Sequence, residues 1–203
     1  VVNRGIMRVI GTVGLPGSGK SEAAAVARRL DIPVVTMGDV IREVCRNRGH
    51  DPAEHHGTVA KSLREEEGPA AIAERSLPII KTKLELSETV LVDGLRSDIE
   101  LDCFRDAFGD DFILVSIEAP FKSRVKRLDK RGRDETDLDE TALQKREERE
   151  LGFGMGEAMD RADVVIENTE SLSKFHETIQ YFLTQRIVDT TEHADSSQHQ
   201  HTQ

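Results

Sequence analysis

The octapeptide Gly14-Leu15-Pro16-Gly17-Ser18-Gly19-Lys20-Ser21 matches G-x-x-x-x-G-K-[ST] at every fixed position, and it limits the fold more than any other stretch of the chain. Several backbone N–H groups must converge on one anion, and glycines allow that turn without Cβ clashes. Such a loop needs a buried strand before it and a helix behind it. Both patterns are present: an apolar run at 8–13 and an Ala-rich stretch at 20–30. A helix beginning at Lys20 would aim its partly positive end at the same anion. The octapeptide therefore predicts a site for a nucleoside triphosphate, ATP with Mg²⁺. Gly14, Leu15, Pro16, Gly17, Ser18 and Gly19 are expected to wrap the phosphates. Lys20 is expected to reach the β- and γ-phosphates, and the Ser21 hydroxyl to bind Mg²⁺.

With 203 residues, 37% hydrophobic and 33% charged, the chain suits one compact domain with small insertions. No apolar run approaches the roughly 18 residues that span a membrane. The formal net charge of −10 disfavours broad nucleic-acid binding, because phosphate backbones repel an acidic surface. Cys45 and Cys103 stand far apart and outside any C-x-x-C pair, which fits reduced thiols in a cytoplasmic protein. Short runs rich in Val and Ile at 8–13, 34–36, 89–93, 112–117 and 164–166 read as strands buried on both faces. Helical patterns fall at 20–30, 39–47, 55–66, 69–84 (with a kink at Pro78), 98–107, 120–130, 139–150 and 171–185. The alternation predicts an α/β fold of three layers with about five parallel strands, the strand after the first helix lying away from the loop. Residues 1–6 read as an N-terminal extension, 7–186 as the domain, and the polar run 187–203 as a disordered tail. His193, His199 and His201 in that tail match no metal-ligand spacing.

Thr36-Met37-Gly38-Asp39-Val40-Ile41-Arg42 resembles the T-G-D-x-L-R segment of adenylate kinases and related nucleoside-monophosphate kinases, with Met37 as an extra residue. In those enzymes the arginine grips the acceptor phosphate, and the resemblance carries that role to Arg42. Asp93-Gly94-Leu95-Arg96 is similar to D-G-F-P-R of the same kinases, without the proline and one residue shorter. A carboxylate ending a strand beside the loop can hold Mg²⁺ through water, which makes Asp93 a metal candidate. Arg96 is expected on the acceptor phosphate. Arg124, Arg127, Arg131 and Arg133 precede an acidic run at 134–140, and Arg146 and Arg149 follow it. Arginines that close over a transferring phosphoryl group stabilise its spread charge and exclude water. Kinases of this superfamily carry such arginines on a small lid after the fourth strand. That likeness assigns Arg127, Arg131 and Arg133 to catalysis and residues 131–156 to a lid. The apolar glycine run 151–156 reads as a lid hinge or a loop packed beside a base. Residues 162–168 resemble the A-D-x-V-I-x-N segment of dephospho-CoA kinases, which makes Asn168 a candidate base contact.

From Met7 to about Gln185 the chain resembles the archaeal UPF0200 family, adenylate-kinase-related P-loop proteins. The shared segments are G-L-P-G-S-G-K-S, M-G-D-V-I-R-E, L-R-E-E-E-G-P, D-G-L-R-S, K-R-G-R and R-E-L-G-F-G. The resemblance implies a P-loop NTPase fold of nucleotide-kinase type, an acceptor-binding helical insertion at 39–84, and ATP binding. It leaves the reaction open. The residues favour a kinase that moves the ATP γ-phosphate to a nucleotide or another small phosphorylated acceptor, by positioning and charge neutralisation and with no obligatory base. A dephospho-CoA kinase-like activity stays open beside it. So does a slow ATPase acting as a switch or assembly factor with a protein partner.

Overall fold

The computed structural model describes residues 8–131 and 140–195, with side chains over 8–128 and 140–185. Strands β1 (Arg8–Val13), β2 (Val34–Thr36), β3 (Thr89–Asp93), β4 (Phe112–Glu118) and β5 (Val164–Glu167) form one sheet in the order β2-β3-β1-β4-β5. Every neighbouring pair is parallel. Helix α1 (Lys20–Arg29) carries the chain from β1 to the edge strand β2, so β3 takes the place beside β1. The register sets Thr12 opposite Asp93 and Asp93 opposite Thr36. Three strand ends therefore finish on one line at the foot of the loop. In open parallel sheets that carboxyl edge is where ligands bind.

Three helices intervene between β2 and β3: α2 (Met37–Asn47), α3 (Pro52–Glu67) and α4 (Ala71–Leu84). They fill the stretch between the two strands. Asp51 caps α3 by accepting from the Ala53 amide at 2.9 Å, and Pro52 fills the first helical position, where its missing N–H costs nothing. Pro78 lies inside α4, which runs on both sides of it. After β3 come α5 (Asp98–Phe108), then β4, α6 (Phe121–Arg131), α7 (Glu140–Leu151), α8 (Met155–Asp160), β5 and α9 (Leu172–Asp195).

The strand periodicity of two sorts the core into two layers. Val9, Val13, Val90, Val92 and Leu114 face a cluster shared with α2, α3, α4, α5 and α8. Ile10, Leu91, Val115 and Ile117 face α1 and α9. Ala23, Ala24 and Ala27 let α1 lie close to the sheet, and Phe175, Ile179 and Leu183 cover it from α9 at four-residue spacing. The sheet is thus covered on both faces, which explains why its strands read as continuous apolar runs.

Two expectations change. A short helix, α8, occupies part of the glycine run 151–156 and buries Met155 and Ala158. The last helix continues past residue 185 to Asp195 and takes in part of the stretch expected to be a disordered tail. Residues 1–7, 132–139 and 196–203 lie outside the described residues, and Arg133 with them. Among the described residues no helix is long and apolar enough to cross a membrane.

Candidate active site

The loop leaves the central strand with Gly14 at φ 149°, Gly17 at 78° and Gly19 at 123°. A Cβ at Gly14 would sit 2.3 Å from the Ile117 carbonyl oxygen, and one at Gly19 would sit 2.5 Å from Asn168 Nδ2. Neither neighbour can yield, so both positions demand glycine. The Ser18 amide donates to Leu15 O at 3.1 Å and closes the turn. Among the described residues the amides of Gly17, Gly19 and Lys20 have no hydrogen-bond partner. The buried Ser18 hydroxyl has none either. Unspent donors at the start of α1 fit a polyphosphate, because that is where a helix presents its open N–H groups.

Lys20 folds back on the loop: its ammonium donates to the Gly14 carbonyl and, at 3.4 Å, to Leu15 O. Burial pulls its pKa from 10.5 to about 8, against the upward pull of Asp93 and Glu150 and with Arg96 and Arg146 adding to the drop. An anion seated in the loop would add to the opposite charge that Asp93 and Glu150 already supply. Ser21 and Asp93 line the same cavity and supply hard oxygens of the kind Mg²⁺ prefers. One Asp93 oxygen accepts from Thr12 Oγ1 at 3.2 Å, a consequence of the β1–β3 register.

Two residues expected at the chemistry instead brace the loop. Asn168 is buried: its Nδ2 donates to Ser18 O at 2.7 Å, and its Oδ1 accepts from Arg127 Nη2 at 3.0 Å. Both ends of this side chain are thus engaged with the loop and Arg127, a bracing role that the base-contact expectation did not include. Arg127 also reaches Gly17 O at 3.4 Å and Ser18 O at 3.3 Å. Arg124 adds a third brace, with Nη1 on Pro16 O at 3.2 Å and on the Glu147 carboxylate. For Arg131 only the backbone end of α6 is described.

A cavity of about 290 Å³ opens from the loop toward the helical insertion. Lys20, Ser21 and Asp93 line it together with Arg42 from α2, His56 and Arg64 from α3, Arg96 before α5, and Arg146 and Glu150 from α7. Arg42 pairs with Asp39 at 2.6 Å near the surface. The Arg96 side chain has no ion pair among the described residues, whereas its backbone amide donates to Glu100 Oε2 at 2.9 Å. Arg64 pairs with Glu100 Oε1 at 3.3 Å. Glu100 is 1% exposed, and burial raises its pKa against the opposing pulls of the Arg96 amide and Arg64. One buried carboxylate thus holds both an arginine and the segment carrying another. Arg64, His56 and Glu100 were not singled out in sequence. Arg64 belongs to the L-R-E-E-E-G-P segment, which was the available signal.

A family model described as an AAA domain matches residues 13–143. A UPF0200 protein of Halobacterium salinarum is 59% identical over 177 residues, covering 87% of this chain and 93% of that one. Among solved structures, a shikimate kinase from Bacteroides thetaiotaomicron aligns with TM-score 0.57 at 16% identity, over 88% of this chain and 99% of that one. A gluconokinase from Sinorhizobium meliloti 1021 aligns with TM-score 0.56 at 18% identity, over 97% and 100%. At such identities the likeness is one of fold, and the fold is that of P-loop kinases. The close archaeal relative, matched over most of both chains, shows that this protein belongs to the UPF0200 family.

Proposed function

We infer that the protein transfers the γ-phosphoryl group of ATP to a small phosphorylated acceptor, with nucleotides the first class to test. The observation that carries this reading is the single cavity joining the loop to Arg42, Arg64, Arg96 and Arg146. A hydrolase needs room for water alone. Several cations beyond the loop suit a second anionic substrate. In the transfer, an acceptor phosphate oxygen bonds to the γ-phosphorus while the bond to the β,γ-bridging oxygen breaks, leaving ADP. An ionised acceptor oxygen is already nucleophilic, so no protein base is required. Lys20 would leave the Gly14 and Leu15 carbonyls for the phosphates, and Arg146 would meet the spread charge from α7. Arg42 and Arg96 would hold the acceptor. Mg²⁺, held by Ser21 and Asp93, would neutralise phosphate charge when bound.

The test is ADP release from MgATP in a coupled assay across nucleoside monophosphates and dephospho-CoA. Acceleration by one acceptor, abolished by Arg42→Ala with MgATP binding intact, supports the reading. No acceleration by any acceptor favours a slow ATPase acting as a switch.

A further inference from the structure

His56 stands in the part of the cavity that the loop does not use. It lies one turn into α3, eight residues before Arg64 on the same side of the helix. Its Nε2 atom is shut off from solvent, and among the described residues no partner meets it at full hydrogen-bond geometry; the Gly38 backbone beside it supplies at most a weak contact. A Cβ built on Gly38 would come 3.5 Å from His56 Nε2 and 3.4 Å from Arg42 Nη1. The imidazole nitrogen and the Arg42 guanidinium therefore flank one spot above the Gly38 backbone. Arg64 and Arg96 border the same cavity, both tied to Glu100. A buried polar atom without a partner carries a desolvation cost of about 1–3 kcal/mol, which a ligand oxygen would remove.

We propose that His56 is an acceptor contact, its Nε2–H donating to an oxygen of the acceptor's phosphate in a subsite completed by Arg42, Arg64 and Arg96. This rests on the reading that the acceptor is phosphorylated. The charged groups acting on the ring are Arg42 from α2, Arg64 from α3 and Arg96 from the β3–α5 segment; Glu100 lines the same cavity, and Asp39 pairs with Arg42. Burial first, and then Arg96, Arg42 and Arg64, lower the His56 pKa against the pull of the Gly38 backbone. These causes favour the neutral ring. A neutral donor adds a hydrogen bond without adding another like charge to the guanidinium groups, and it is lost entirely on substitution by an apolar residue.

The experiment uses the full chain with its loop filled by β,γ-methylene-ATP and Mg²⁺, titrated with inorganic phosphate. Heat is followed by calorimetry, and the His56 ring by two-dimensional ¹H–¹⁵N NMR. The His56 ring signals should move with the calorimetric midpoint. His56→Ala should weaken phosphate about tenfold or more, the loss of one hydrogen bond to a charged group, and leave the nucleotide analogue's affinity unchanged. His56→Gln, which keeps an N–H donor, should recover most of that loss, and a thermal melt confirms that each variant folds. A still His56 signal and wild-type affinity in His56→Ala, with binding still lost in Arg42→Ala, overturn the role of His56 but keep the phosphorylated acceptor. No phosphate binding to the wild-type complex at all overturns both.

Discussion

Replacing Lys20 by methionine should stabilise the nucleotide-free protein while removing its hold on MgATP. The pKa of Lys20 falls from 10.5 to about 8, mainly because its charge is buried. A drop of about 2.5 corresponds to ~3 kcal/mol by which the folded state disfavours the ammonium. Part of the side chain still meets solvent, which trims the figure. Losing the bonds to Gly14 O and Leu15 O takes back about 1 kcal/mol. A net gain of roughly 1–2 kcal/mol remains, or a rise in Tm of roughly 2–8 °C for a chain of this size. The sign is set by linkage. Between pH 8 and 10.5 the unfolded chain keeps the Lys20 proton that the folded one has lost, so wild-type stability rises with pH in that window. Lys20→Met has no such term, and its advantage should shrink as pH climbs from 8 to 10. Urea unfolding of both proteins at pH 7, 8, 9 and 10 measures this. A variant less stable than wild type at pH 7, by a margin independent of pH, would refute the reasoning. With nucleotide the order reverses, because MgATP at 100 times Kd adds about 2.7 kcal/mol to wild type alone.

Asn168→Ala removes a donor to Ser18 O and a partner of Arg127, so it should cost about 2 kcal/mol in urea unfolding and weaken ATP, GTP and tripolyphosphate alike. A loss confined to one base would restore Asn168 as a base contact. Gly19→Ala drives a Cβ against Asn168 at φ 123°, and calorimetry should find at least tenfold weaker nucleotide binding. Glu100→Gln keeps an acceptor for the Arg96 amide but drops the charge. The raised pKa of Glu100 means its carboxyl group contributes stability at low pH that is lost as pH rises past the ordinary carboxylate range. The variant should therefore gain on wild type between pH 4 and 7 in thermal melts. A constant difference would show that burial does not penalise the carboxylate.

Much of the fold was legible because its signals are local. The ends of β1, β2 and β3 follow directly from Val- and Ile-rich runs that stop at polar or glycine residues. The loop, Asp93, Arg42 and Arg96 were legible for the same reason, since each sits in a contiguous segment whose strand or helix end fixes its place. Helix α8 was hidden because Gly152, Gly154 and Gly156 mask a six-residue helix held by the burial of Met155 and Ala158. Asn168 was expected beside a base and Arg127 at the start of a lid, and sequence says nothing about which way either side chain points. Their direction is set by open carbonyls of Gly17 and Ser18 that exist only once the turn has formed. Glu100 has a second role at the start of α5, where its amide donates to Ser97 Oγ at 3.1 Å. Its pairing with Arg64 needs the middle of α3 to come near the start of α5, a tertiary fact without a local mark.

The most direct test of a two-substrate transfer site follows the γ-phosphorus of ATP by ³¹P NMR in the presence of Mg²⁺ and a mixture of phosphorylated acceptors. The account predicts that it reappears in a phosphoanhydride of one acceptor, in step with ADP and dependent on Arg42. If it emerges only as inorganic phosphate, at a rate that no acceptor changes, the cavity beyond the loop serves something other than phosphoryl transfer.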